Sequence, residues 1–129
     1  CDKYGNAQID GTMGLGFELS RASKKLILST ERIVTESAIR KTPERTVIPH
    51  YLVDAVVEAR YGSHPGEMCY EYAMDRPRVQ EYLKAMETEQ GGKAFLKKFI
   101  HGVRSHEEYL EIVGGARQMR KLRNACKGR

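Results

Sequence analysis

Up to about residue 72 the chain alternates short apolar runs with turn-forming clusters. Beyond that its apolar positions fall three and four apart. Asp2-Lys3-Tyr4-Gly5-Asn6 reads as a turn, because Asp, Gly and Asn tolerate bends and left-handed angles. An extended piece is predicted over 7–10. Gly11, Gly14 and Gly16 then mark a loop; no GxGxxG or GKS/T signature follows a strand to make it a phosphate cradle. Met13, Phe17 and Ala22 fit a short helix over 17–24, and the Leu26-Ile27-Leu28 run within 25–29 reads as a buried strand. Residues 31–39 leave helix and irregular structure open, and Thr42-Pro43 marks a break. Residues 46–59 are rich in β-branched side chains, and Pro49 splits them into two extended pieces. A loop over 61–66 closes this part.

The second part predicts helices. Asp75 can cap one that has Pro77 in its first turn and Val79, Tyr82, Leu83 and Met86 along one face. Gly91-Gly92 is expected to separate it from the next helix, whose Phe95, Leu96, Phe99 and Ile100 form one stripe. Ser105-His106-Glu107-Glu108 is a capping box, and Gly114-Gly115 ends the helix it opens. The organisation expected is therefore one unit over 1–115, strand-rich over 1–72 and helical over 73–115, followed by a basic tail over 116–129. The tail is expected to be a frayed or weakly helical, solvated end, because like charges in a block repel. About three short extended segments are too few for a sheet covered on both faces. They are expected to complete a larger sheet, leaving the isolated chain marginally stable.

Charge and composition narrow the classes of function. The chain has 129 residues and a net charge of +5. Six of its 22 Lys and Arg lie in residues 117–129, which hold no acid; the other 16 face 17 Asp and Glu. Basicity is thus a property of the tail, and with no aromatics interleaved a nucleic-acid partner is not expected. The chain opens on Cys1 with no signal-like segment, and no apolar run approaches the roughly 20 residues that span a bilayer. A cytoplasmic location, no membrane partner and origin from a longer chain are the expectations. Cys1, Cys69 and Cys126 have no zinc or disulfide spacing and are expected to be reduced, with Cys69 in the core.

Candidate chemistry is sparse. His50, His64, His101 and His106 show no ligand pairing, so no metal is expected. His101 and His106 read as solvated. His64 lies in a Gly-Ser-His-Pro loop after an apolar strand, where sites on α/β sheets are commonly built; a histidine satisfying loop carbonyls is the alternative. Glu31, just beyond a strand end, could be a catalytic base, a substrate-facing acid or a cap. No serine or cysteine lies in a nucleophile signature.

The order of several motifs resembles the distal half of family I coenzyme A transferase subunits. These are Asp2-x-x-Gly5-Asn6, Ala22-x-Lys24-Lys25-x-Ile27 leading to Glu31-x-Ile33-Val34, Ile48-Pro49, and Val53-Asp54-x-Val56-Val57. Val53 to Glu58, Gly62-Ser63-His64-Pro65, and His106 to Leu110 with Gly114-Gly115 are similar to the A (alpha) subunit of the glutaconate type, in its C-terminal part. Arg60 and Ser63 depart from the Pro-aromatic-Gly-Ala-His-Pro form usual there, which bears on substrate choice.

The resemblance implies an α/β fold of the NagB/RpiA/CoA-transferase type, a B-subunit partner in a hetero-oligomer, and no permanently bound cofactor, with coenzyme A as substrate. CoA would pass between an acyl-CoA and an acid such as a glutaconate-like dicarboxylate through a glutamyl-CoA thioester. The nucleophilic glutamate would belong to the B subunit, so this chain would hold no catalytic residue and be inactive alone. Glu31, Gly62, Ser63 and His64 are the substrate-binding candidates, and Asp2, Gly5, Asn6, Pro49 and Asp54 the structural motif. A CoA-thioester hydrolase or ring-cleaving relative, and a non-catalytic interaction module, are the competing readings.

Overall fold

The computed structural model describes residues 1–127; Gly128 and Arg129, the last two of the expected tail, lie outside them. The chain forms two compact units, Cys1–Gly62 and Ser63–Arg129, and the boundary falls within the loop expected over 61–66.

Unit 1 carries four short strands: β1 (Ala7–Gln8), β2 (Ile27–Thr30), β3 (Thr46–Ile48) and β4 (Ala55–Glu58). They form two separate pairs, β1 with β3 antiparallel and β2 with β4 parallel. Asp54 fixes the second register. Its carboxylate accepts the Leu26 N–H at 2.9 Å and meets Lys25 Nζ at 2.7 Å, while its own N–H donates to Leu26 O at 2.9 Å. Pro49 ends β3 and leads into a single 3₁₀ turn, His50–Leu52. Helix α1 (Gly16–Ala22) matches the short helix expected. The undecided stretch resolves into α2 (Glu36–Arg40), whose N-cap Thr35 accepts the Ala38 N–H.

The Asp2 motif ties this unit together. Asp2, 0 % exposed, accepts the N–H groups of Tyr4 and Asn6 at 3.0 Å and Asn6 Nδ2 at 2.8 Å. Burial alone would raise its pKa, but these donors, the Asn6 amide foremost, hold it below the usual carboxylate value. Asn6 Oδ1 then accepts the His50 N–H at 3.0 Å, joining the N-terminal turn to the one after Pro49. Gly5, at φ 99°, is required twice over: an added Cβ would be strained there and would lie 2.9 Å from Val53 Cβ. The core is thin, with Ala7, Ile39 and Ile48 its buried apolar residues, while Ile27 on the parallel pair is 70 % exposed. A parallel pair normally has both faces covered.

Unit 2 is helical: α3 (Arg76–Ala85), α4 (Glu89–Leu96), α5 (His106–Ile112) and α6 (Gly115–Lys127), with a π-helical turn, Lys97–His101, after α4. Tyr72, Ala73, Phe99, Val113, Met119 and Leu122 are its buried apolar residues.

Several expectations change, the buried strand over 25–29 among them, since β2 leaves Ile27 exposed. Gly91 and Gly92 do not separate helices but lie inside α4, which Thr88 caps through the Gly91 N–H. The start of α4 is pressed against the end of α3, and a Cβ on Gly91 would lie 2.4 Å from Ala85 O. The Phe95 to Ile100 stripe splits: the π turn buries Phe99 and leaves Leu96 and Ile100 exposed. Cys69 is exposed, because Tyr72, 1 % exposed, takes the core position of that turn.

The expected frayed tail is instead a 13-residue helix. Met119 and Leu122 fall on one face of it and are buried, an amphipathic stripe that outweighs the repulsion of its cations. The capping box is half formed. Ser105 Oγ accepts the Glu108 N–H, whereas the Glu108 carboxylate accepts the Arg104 N–H, one residue earlier than the pattern specifies.

Candidate functional site

The four substrate-binding candidates fall in two separate settings. In unit 1, Glu31 follows β2, and the loop after β4 turns back over it. Its Oε2 accepts the Tyr61 N–H at 2.7 Å and Oε1 the Gly62 N–H at 3.1 Å. Tyr61 has φ 59°, a left-handed conformation that costs a non-glycine residue about 1 kcal/mol. Two charge-assisted hydrogen bonds onto successive amides offset that cost. The structure thus joins Glu31 to Gly62 and engages both carboxylate oxygens in holding the loop.

In unit 2, the Ser63 N–H donates to the Tyr72 hydroxyl at 3.0 Å. His64 sits beside it as the centre of a buried network; its side chain is 0 % exposed and that of its partner Asp75 3 %. His64 Nε2 lies 3.1 Å from Asp75 Oδ2, and Nδ1 lies 2.7 Å from the Tyr109 hydroxyl. Asp75 Oδ2 also accepts Gln118 Nε2 at 2.9 Å, and Oδ1 accepts the Arg78 N–H that caps α3.

These contacts define the proton positions. Burial is the largest influence on His64 and lowers its pKa, with the hydrogen bond to Asp75 acting the other way. Burial would raise Asp75, but the donors Gln118, His64 and the Arg78 amide bring it below the usual value. A carboxylate has no proton to give, so neutral His64 carries its hydrogen on Nε2 and accepts the Tyr109 O–H at Nδ1. Burial raises the Tyr109 pKa, which keeps that hydroxyl a donor.

Next to this network, still within unit 2, lies an open cavity of about 650 Å³ lined by Tyr82, Phe95, Leu96, Phe99, Ile100 and Tyr109, with Arg78 at its wall. His64 borders it but presents no accessible side chain. His64 therefore satisfies an aspartate and a tyrosine, not loop carbonyls. Sequence reasoning saw Asp75 only as a cap, Tyr109 only as a helix-face residue, and Gln118 only as part of a tail. The separations of 11, 45 and 43 residues within the network carry no local signal. Among the described residues no group of His, Cys, Asp and Glu is placed to hold a metal ion, and no helix is long and apolar enough to cross a membrane.

Few short strands interleaved with turns, followed by a helical run, define an α/β architecture that reappears in known proteins. No family model matches the chain. An uncharacterised protein of Archaeoglobus fulgidus is 50 % identical over 123 residues, 95 % of this chain and 28 % of that protein. The A subunit of glutaconate CoA-transferase from Acidaminococcus fermentans is 34 % identical over 113 residues, 88 % of this chain and 35 % of the relative. The crystal structure of that organism's glutaconate coenzyme A-transferase superposes with a TM-score of 0.88 at 33 % identity, covering 92 % of this chain and 37 % of its own. The cholesterol ring-cleaving hydrolase IpdA subunit of Mycobacterium tuberculosis is 31 % identical over 104 residues, 78 % of this chain and 36 % of the relative. The fold is thus that of a CoA-transferase subunit. The chain belongs to the A subunits of family I CoA transferases, and it spans about a third of the length of the relatives it matches.

Proposed function

We propose that the chain is a segment of a CoA-transferase A subunit that works with a B subunit to move CoA from an acyl-CoA to a carboxylic acid, a glutaconate-like dicarboxylate being the leading class. The observation that carries this reading is the match to glutaconate CoA-transferase in both sequence and fold over some nine-tenths of the chain. Transfer would run through a glutamyl-CoA thioester, which divides one difficult exchange into two easier steps.

The nucleophilic carboxylate is assigned to the B subunit. In support, Glu31 spends both oxygens on the Tyr61 and Gly62 amides, and hydrogen bonds to an anion reduce its tendency to attack. Gly62 and Ser63 are assigned to approach an acyl group, and His64, whose side chain is sealed from solvent, would act only by anchoring its own loop to Asp75 and Tyr109. Coenzyme A enters as substrate, no resident cofactor is assigned, and the segment alone is expected to be inactive. A CoA-thioester hydrolase of the ring-cleaving type is the second reading, favoured by the 31 % identity to the IpdA subunit.

The test is intermediate trapping on the complete A subunit co-expressed with its B subunit. Mass spectrometry after incubation with acyl-CoA should find the CoA adduct on a B-subunit glutamate, with Glu31→Gln leaving it in place. An adduct on this chain, or its complete loss in Glu31→Gln, would refute the assignment. Hydrolysis without transfer to any added acid would favour the second reading.

A further inference from the structure

Three cations of α6, Arg117, Arg120 and Lys121, lie together on its exposed face. Elsewhere in unit 2, Arg78, Lys93, Lys98 and Arg104 each meet a carboxylate. Arg117, Arg120 and Lys121 have neither an ion pair nor a hydrogen bond among the described residues. With Asn124 they line a shallow cleft of about 380 Å³ on the exposed face of the helix. The opposite face is fixed: Met119 and Leu122 are buried, and Gln118 Nε2 is bonded to Asp75. At 3.6 residues per turn the four cleft residues form one stripe, and each i,i+4 pair, Arg117 with Lys121 and Arg120 with Asn124, is separated by about 6 Å along the axis. Left unoccupied, the stripe repels itself, and Arg117 sits near the positive end of the helix dipole.

We propose that this face binds the phosphate groups of a nucleotide-type small ligand, one phosphate held by each i,i+4 pair. Arginine forks match phosphate oxygens, and the Asn124 amide adds a neutral donor. The site would be compact, about 10 Å from Arg117 to Asn124 along the helix. Competing anions fit less well. A bilayer would need large apolar residues beside the cations, but Met119 and Leu122, those of α6, are buried in the protein. A nucleic acid would need a longer basic track with stacking aromatics, and residues 116–127 contain no aromatic. The identity of the ligand rests on the reading above: coenzyme A carries a diphosphate and a 3′-phosphate at its nucleotide end.

The experiment is titration calorimetry of the complete A subunit with inorganic pyrophosphate and with CoA, at low and moderate salt. Both are expected to bind, more weakly as salt rises. The triple variant Arg117→Gln, Arg120→Gln, Lys121→Gln should weaken both about tenfold or more with an unchanged circular dichroism spectrum. Failure of the wild type to bind pyrophosphate, equal affinity in the triple variant, or preference for poly-glutamate would overturn the site. CoA affinity that survives in the triple variant would overturn it too, while leaving the CoA-transferase reading intact. Pyrophosphate binding without CoA binding would overturn the ligand assignment drawn from that reading.

Discussion

Asp75 joins the most separate parts of unit 2, so its removal should be costly in a way its position in the sequence does not forecast. Asp75→Ala deletes the cap of α3, which is worth about 1 kcal/mol. It also strands two donors, His64 Nε2–H and Gln118 Nε2, in a region where His64 exposes none of its side chain. A buried polar group left without a partner costs about 1–3 kcal/mol. Allowing for partial relaxation, the total comes to about 3–5 kcal/mol, a large share of the 5–15 kcal/mol typical of a folded domain.

Asp75→Asn should be milder, at about 1–2 kcal/mol. Its oxygen can still cap, and neutral His64 can shift its hydrogen to Nδ1, accept from the new amide at Nε2 and donate to the Tyr109 oxygen. Gln118 can turn its amide so that its oxygen accepts the second hydrogen of the new amide. Guanidinium unfolding followed by far-ultraviolet circular dichroism measures both, and nitrogen-15 spectra of the imidazole report the tautomer. An Asp75→Ala loss under about 1 kcal/mol would refute the network's role. An Asp75→Asn variant as unstable as Asp75→Ala, with an unchanged tautomer, would refute the proton assignment.

The same network predicts acid lability. Because the folded pKa of His64 lies below its ordinary 6.5, the unfolded chain binds the extra proton first, so stability is full above pH 6.5 and falls as pH drops through it. Asp75, depressed below 3.8, adds a second loss at lower pH as it protonates; a stability profile flat from about pH 7.5 to pH 5 would contradict the first. Gly91→Ala should destabilise by about 1–3 kcal/mol despite the better helix propensity of alanine, because its Cβ would lie 2.4 Å from Ala85 O. Gly16→Ala, whose Cβ would meet only Ile9 Cδ1 at 3.8 Å, serves as the neutral comparison in the same melts, and equal effects would remove the packing argument. Deleting residues 117–129 takes away the buried Met119 and Leu122 and should cost at least the 2–5 kcal/mol typical of one such side chain; an unchanged melt would return the segment to the status of a solvated tail.

Local chemistry determined much of this protein. The Asp2 turn, the extended pieces around Pro49, the Asp75 and Ser105 caps and the Gly114 stop depend on residues within a few positions of each other, so their physics is written in short stretches of sequence. The ordered motifs from Asp2 to Gly115 were likewise enough to indicate the family. Tertiary structure decided what depends on distant partners. It put Gly91 and Gly92 inside a helix capped by Thr88, where the end of the preceding helix leaves no room for a Cβ at Gly91, and it made a packed helix of a charge block because Met119 and Leu122 found a core. It also changed the meaning of the two residues with the clearest chemical promise. Glu31 became the clasp of a left-handed loop, and His64 the sealed centre of a network with Asp75, Tyr109 and Gln118. A side chain's chemistry is set by the groups that surround it after folding, and for Glu31 and His64 most of those groups lie 30 to 45 residues away.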